Sequence, residues 1–160
     1  MAITHHDLDA IAKEENIEFR PGDILIVRTG YTKWHNEASH EERIKGTSFH
    51  EYPGVEANEE CVKWMWKHHF AAVASDAPAF ETVPPLDPYW SLSPFLDHVN
   101  GIVLHNFLLA FWGTPIGEFW DLEALAKLCE KHNRWSFFLT SAPLNIEGGV
   151  ASPPNAMAIF

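Results

Sequence analysis

Residues 55–75, "VEANEECVKWMWKHHFAAVAS", decide the fold class. Val62, Met65, Trp66 and His69 recur at intervals of three and four, which lines them along one face of a helix. "FAAVAS", residues 70–75, follows at once with strand length and a fully apolar centre. One helix thus delivers one strand. The same order returns downstream. "DLEALAKLCEKHN" (121–133) carries Leu122, Leu125, Ala126 and Cys129 on one face, and "WSFFLTSA" (135–142) then reads as a strand.

Upstream, Thr4 and Asp7 have capping-box spacing, and Ile3, Leu8, Ile11 and Ala12 continue a helical period to Asn16. In "RPGDILIVRTG" (20–30) a Pro-Gly-Asp turn precedes the β-rich run Ile24 to Val27, whose continuous apolarity predicts cover on both faces. "AMAIF" (156–160) supplies a last strand. Helices near 4–15, 57–69 and 121–132 alternate with strands near 24–28, 71–75, 135–141 and 156–160, which predicts an α/β fold. At 160 residues, one domain spanning 1–160 and sharing one sheet system is expected.

Two stretches break the alternation. Residues 31–53, "YTKWHNEASHEERIKGTSFHEYP", lose core periodicity and gain charge; a short helix around "SHEERIK" inside an insertion or lid is expected, with His35, His40 and His50 in solvated loops. Residues 77–94, "APAFETVPPLDPYWSLSP", read as a long ordered loop pinned by Phe80, Tyr89 and Trp90, and loops of that length within a compact domain are often functional.

Composition excludes several classes. Apolar residues make up 46% and charged residues 21%, the balance of a packed core. The formal net charge of −11 repels a phosphate backbone or an anionic membrane, so nucleic acid and membrane partners are not expected. No apolar run approaches the ~20 residues of a membrane span, and the acidic amphipathic start is unlike a signal peptide. Cys61 and Cys129 lie far apart on separate predicted helices, which gives neither a disulfide framework nor a clustered zinc site and suits a reducing cytoplasm.

The chain has no G-x-S-x-G elbow, phosphate-binding glycine loop, G-x-G-x-x-G, H-E-x-x-H or C-x-x-C. The remaining candidates are acids and histidines at the ends of apolar segments. In "GIVLHNFLLAFWGTPIGEFWDL" (101–122) His105 and Glu118 interrupt an apolar run, His105 opening a short helix and Glu118 lying on an extended piece. Such a pair either shares a divalent cation or satisfies itself as a buried hydrogen bond. In "ASDAPAFE" (74–81) Asp76 and Glu81 follow a strand, where they line a cleft or cap a turn.

Several of these segments, "FRPGDILIVRTG", "FAAVASDAPAFE", "LHNFLLAFWGTPIGE" and "RWSFFLTSAPLNIEGGVASPPNAMAIF", together resemble the cyclase-type metal-dependent hydrolase family, which includes kynurenine formamidases and isatin hydrolases. The likeness runs from about Ile3 to Phe160 and is nearest to fungal-type members. It implies a swivelling β/β/α domain that holds Zn²⁺ or Mn²⁺ and hydrolyses the carbon–nitrogen bond of a small amide or formamide, an arylformamidase-like reaction of the kynurenine-pathway type. It also implies that His105 and Glu118 are metal-site residues, and that Trp34, Phe80 and Trp112 stand where an aromatic wall would meet an aryl substrate, core packing being the alternative role of each. The family signature, His-x-Gly-Thr-His-x-Asp followed by Pro and another His, carries most ligands and the catalytic histidine; nothing in residues 1–20 matches it. The chain is therefore expected to be the C-terminal, N-terminally truncated part of such a domain. A weak metal site, little or no turnover, and self-association through apolar surface at Ile24 to Val27 and Phe137 to Leu139 follow as expectations. A catalytically inactive binding or oligomer-forming module is the alternative function.

Overall fold

The computed structural model describes residues 1–48, 51–83 and 103–160, and the chain divides into two compact units, Met1–Leu122 and Glu123–Phe160. The expectations for His50, Tyr89 and Trp90 lie outside the described residues.

In the first unit the order is β1 (Ala2–Ile3), α1 (His5–Glu14), β2 (Ile24–Val27), α2 (Tyr31–Glu37), α3 (His40–Thr47), β3 (Gly54–Val55), α4 (Glu59–His68), β4 (Ala72–Ser75), a π-helix (Asn106–Trp112) and β5 (Ile116–Gly117). Strands β2, β4 and β5 form a parallel sheet in that spatial order, with Ile24 opposite Ala72 and Val73 opposite Ile116. Strands β1 and β3 pair in parallel separately. The Pro-Gly-Asp turn explains the register of the larger sheet. Asp23 accepts from the Arg20 amide at 2.8 Å, and the turn is tied to the α4–β4 connection by bonds from Gly22 N–H to the His69 carbonyl and from Ala71 N–H to the Asp23 carbonyl. β2 and β4 therefore start level.

Continuous apolarity means different things in the two strands. Central β4 is covered on both sides from Val73 to Ser75, whereas β2 alternates, with Leu25 and Val27 buried and Ile24 exposed. The reading of β2 as covered on both faces is corrected accordingly: among the described strands it lies at the sheet edge. In α4 the buried side chains are Cys61, Val62, Trp64 and Met65, while Trp66 and His69 are exposed. The predicted face was rotated by about one residue. Trp64 wins the core position because its indole N–H is satisfied there, donating to Asp9 at 2.9 Å, and its ring packs near Phe70 and Phe19. Each large side chain fully buried in this way contributes roughly 1.5–3 kcal/mol. Burial also pushes the Cys61 thiol up to about 12, with the Glu56 charge adding to the effect, which leaves it an inert core group.

The Thr4–Asp7 capping box is present in both directions, although α1 ends at Glu14 and leaves Ile11 exposed. Residues 31–47 hold two helices rather than one. Ser39 and Glu42 form the capping box of α3, and α2 begins at Gly30, whose φ of +84° suits a residue without a Cβ.

In the second unit α5 (Glu123–His132) precedes β6 (Phe138–Thr140) and β7 (Met157–Ile159), which pair antiparallel with each other rather than joining the β2–β4–β5 sheet. Leu125 and Ala126 are half-buried and Cys129 is buried, the predicted α5 face. The Phe160 ring lies 5.3 Å from Phe137 and 5.5 Å from His132, with the Arg134 guanidinium 5.1 Å above it. Phe138, Met157 and Ile159 remain exposed. No helix among the described residues is long and apolar enough to cross a membrane.

Candidate functional site

The C-terminal end of β4 leads directly into the acidic residues singled out by the sequence. Asp76 is fully buried, and its two oxygens accept from Thr29 N–H (2.6 Å), Thr29 Oγ1 (2.8 Å), Gly30 N–H (2.9 Å) and Thr32 Oγ1 (3.4 Å). That carboxylate belongs to turn chemistry. It fastens the loop leaving β2 and sets the start of α2.

Beyond it the chain runs extended past β3. Val55 N–H donates to the Phe80 carbonyl and Thr82 N–H to the Val55 carbonyl, and the approach is so close that a Cβ on Gly54 would collide with the Glu81 carbonyl group. Neighbouring side chains of an extended segment point to opposite sides, so Phe80 fills the core and Glu81 turns the other way, still 96% covered.

The third contributor is the π-helix. Leu104 and Leu108, four residues apart and both buried, anchor its start and leave His105 between them on a different side. The wide turn ends at Gly113, with φ +68°, and Thr114 N–H bonds back to the Leu108 carbonyl. Pro115 then hands the chain to β5, whose pairing with β4 places Glu118 one residue past the sheet. π-turns of this kind are frequent at functional sites.

These three segments bring Glu81, His105 and Glu118 into one chain of contacts. His105 Nδ1 lies 2.7 Å from Glu81 Oε2, and His105 Nε2 lies 3.1 Å from Glu118 Oε1. The same Glu118 oxygen accepts the Phe80 amide at 3.1 Å. His105 keeps 32% of its side-chain surface accessible, while Glu81 keeps 5%. The carboxylate of Glu118, then that of Glu81, holds the imidazolium against the opposing effect of burial and raises the His105 pKa to about 10.

The arrangement fits a divalent ion. Metal–nitrogen and metal–oxygen bonds of about 2.0–2.2 Å put two ligand atoms on a shared ion roughly 3–3.5 Å apart, depending on the angle between them. His105 Nε2 and Glu118 Oε1 already stand at 3.1 Å. Glu81 on the other ring nitrogen is the carboxylate–histidine contact that fixes a ligating ring in orientation and tautomer. Sequence reading paired Glu81 with Asp76 because both follow β4; its contact with His105, 24 residues on, leaves no local pattern.

The predicted aromatic wall is distributed over three places. Trp34 stands in α2 beside Tyr31 and against Gly46. Trp112 packs on Trp66 at 5.2 Å and on Phe107 at 5.8 Å. Phe80 is wholly inside the core, so what it presents to the site is its backbone N–H.

Comparison with known proteins identifies the family. A family model described as "Putative cyclase" matches residues 1–82. A solved structure described as a novel cyclase is similar over 100% of this chain and 47% of that one, with a TM-score of 0.79 and 32% sequence identity. The chain therefore spans about half the length of that relative. No curated protein matches. With more than half of its residues inside the family match and its whole length superposable on a cyclase structure, the chain belongs to the cyclase family.

Proposed function

We propose that this chain provides part or all of the centre of a metal-dependent hydrolase acting on the carbon–nitrogen bond of a small amide or formamide, arylformamidase-like in class. The observation that carries the reading is the relay Glu81–His105–Glu118, with its outer nitrogen and oxygen at the spacing of two ligands on one ion. His105 and Glu118 hold the metal, Zn²⁺ or Mn²⁺, both of which accept this donor pair. When bound, such an ion supplies Lewis acidity toward water and a carbonyl oxygen. The protein's own share is positional. Glu81 aims the imidazole, the Phe80 amide fixes Glu118, and the buried Leu104 and Leu108 hold the start of the π-helix, which His105 immediately precedes. A centre of this type ordinarily has three protein ligands and an open position, so a further ligand group completes it. Trp34 and Trp112, which keep accessible surface, are the candidates to meet an aryl substrate. The two free thiols suit a reducing cytoplasm.

The test is calorimetric titration of Zn²⁺ and Mn²⁺ into wild type and His105→Ala, with hydrolysis of N-formylkynurenine followed in parallel. Loss of one metal equivalent in the variant is expected. Identical uptake by both proteins removes His105 from the centre.

One observation favours a second reading, a binding or self-associating module without turnover: the apolar side chains of Phe138, Met157 and Ile159 stand exposed on the β6–β7 hairpin. Light scattering separates the two readings. A concentration-dependent assembly without His105-dependent metal uptake supports the module; a monomer with metal-dependent hydrolysis supports the enzyme.

A further inference from the structure

A second set of ligand groups comes from other elements of the first unit. β1 and β3 pair in parallel, Ala2 opposite Gly54 and Ile3 opposite Val55, and the pairing continues with a 2.8 Å bond from Glu56 N–H to the Ile3 carbonyl. Each strand leads promptly into a capped helix, α1 through Thr4 and α4 through Asn58. Because the strands are in register, the first turns of the two helices come side by side. α1 presents His5 and His6 there, and α4 presents Glu60. One ligand atom from each, two imidazole nitrogens and one carboxylate oxygen, lie within 4.8 Å of one another.

Two further features point to a ligand. His5 Nδ1 is buried and has no hydrogen-bond partner. A buried polar atom left so destabilises the fold, and a coordinating ion would supply the missing partner. The His5 and His6 rings also pack against each other with centroids 4.0 Å apart and planes tilted by 38°, which keeps the two imidazoles side by side at the cluster. His6 and Glu60 are exposed, so an ion reaches the cluster without opening the fold.

We propose that His5, His6 and Glu60 form a binding site for a borderline divalent cation, Zn²⁺ foremost, which cross-links the first turns of α1 and α4. Two imidazoles and one carboxylate make the three-ligand set of an open zinc site, and nitrogen donors disfavour Mg²⁺ and Ca²⁺. Closing to bonding geometry requires rotation of the exposed His6 and Glu60 side chains and leaves the paired strands in place. The two helix N-termini carry partial positive charge that opposes a cation, and Asp7 and Glu59 in the same first turns offset it. Affinity is accordingly lower than in a closed structural zinc site. None of the three residues belongs to the His105 centre, so this site stands whether or not that assignment does.

The test uses the full chain without a histidine tag. Zn²⁺ is titrated in competition with a chromophoric chelator into wild type, His105→Ala and the double variant His6→Ala/Glu60→Gln, whose exposed substitutions leave the core untouched; circular dichroism of the metal-free proteins checks this. His105→Ala should retain one zinc equivalent, and adding the double substitution to it should weaken that equivalent by at least tenfold. In His105→Ala, Zn²⁺ should also shift the side-chain ¹⁵N resonances of His5 and His6 and raise the melting temperature, and Mg²⁺ should do neither. Undiminished zinc uptake by the combined variant, or His5 and His6 resonances that do not move, overturns the proposal.

Discussion

Asp76 and the Glu81–His105–Glu118 relay are set out from the same end of β4, and they show two ways of covering a carboxylate. Asp76 accepts from four neutral donors, three on Thr29 and Gly30 of the loop after β2 and one on Thr32 in the first turn of α2. Nothing in that set titrates or exchanges. Its charge is spent on holding backbone, which is why the loop after β2 and the N-terminus of α2 depend on it. In the relay the carboxylates face a titratable ring through both of its nitrogens, and about a third of that side chain is open to solvent. A metal ion bound there, as proposed, would have to displace the ring's proton. The difference between a structural acid and a candidate catalytic centre therefore lies in the partner, fixed amide and hydroxyl groups in one case and a titratable ring in the other.

The comparison can be broken most sharply at Asp76. Replacement by alanine leaves the Thr29 and Gly30 amides without their acceptor beside a buried strand end, and at about 1–3 kcal/mol for each donor left unpaired the largest loss of stability among these variants is expected. Urea unfolding monitored by circular dichroism measures it, and metal uptake by the folded fraction should be unchanged. An Asp76→Ala protein as stable as wild type would show that the loop does not need its anchor.

His105→Ala should invert the pattern. The stability cost is smaller, about 1–3 kcal/mol, because the ring is partly solvated, while the metal equivalent assigned to that centre is lost. A variant that loses several kcal/mol yet retains all metal would make His105 another Asp76. Glu81→Gln sharpens the middle ground. It keeps the shape and one acceptor oxygen but weakens the hold on Nδ1, and a 10–100-fold drop in metal affinity is the usual effect of losing such an outer partner. Competition with a chelator resolves a change of that size.

How much of this was legible in the sequence follows the range of the interactions involved. The α4–β4 unit was readable because its period and length are local, and so was the Thr4–Asp7 cap, whose partners are three residues apart. The phase of α4 was not, since hydrophobicity does not distinguish Trp64 from Trp66; the choice is made by Asp9, 55 residues away, which accepts the Trp64 indole N–H. The second helix in 31–47 escaped for a similar reason. Its start at Gly30 is held by Asp76, 46 residues distant. His105 and Glu118 stood out as ionisable groups in an apolar run, but Glu81 was visible only as an acid after a strand, and its role emerges when β3 and the π-helix bracket it.

The smallest expected effect tests the proton directly. The His105 pKa is raised from 6.5 to about 10. A group with a raised folded-state pKa stabilises the fold fully below its unfolded value and loses that contribution as pH climbs through the folded value. In metal-free protein the wild-type advantage over His105→Ala should thus be largest below pH 6.5 and decline toward pH 10. Solvent screening of the partly exposed ring keeps the change to about 1–2 kcal/mol. Subtracting the His105→Ala profile removes the titration of Cys61, which lies near 12, and of other groups common to both proteins. Metal binding should run the opposite way. The ion displaces the proton from Nε2, so between about pH 6 and 8 its affinity should rise up to roughly tenfold per pH unit, one proton being released for each ion bound. Metal-free stability falling with pH while metal affinity rises would mark the relay as the exchangeable one of the two; parallel curves for wild type and His105→Ala would show that the ring carries no proton worth displacing.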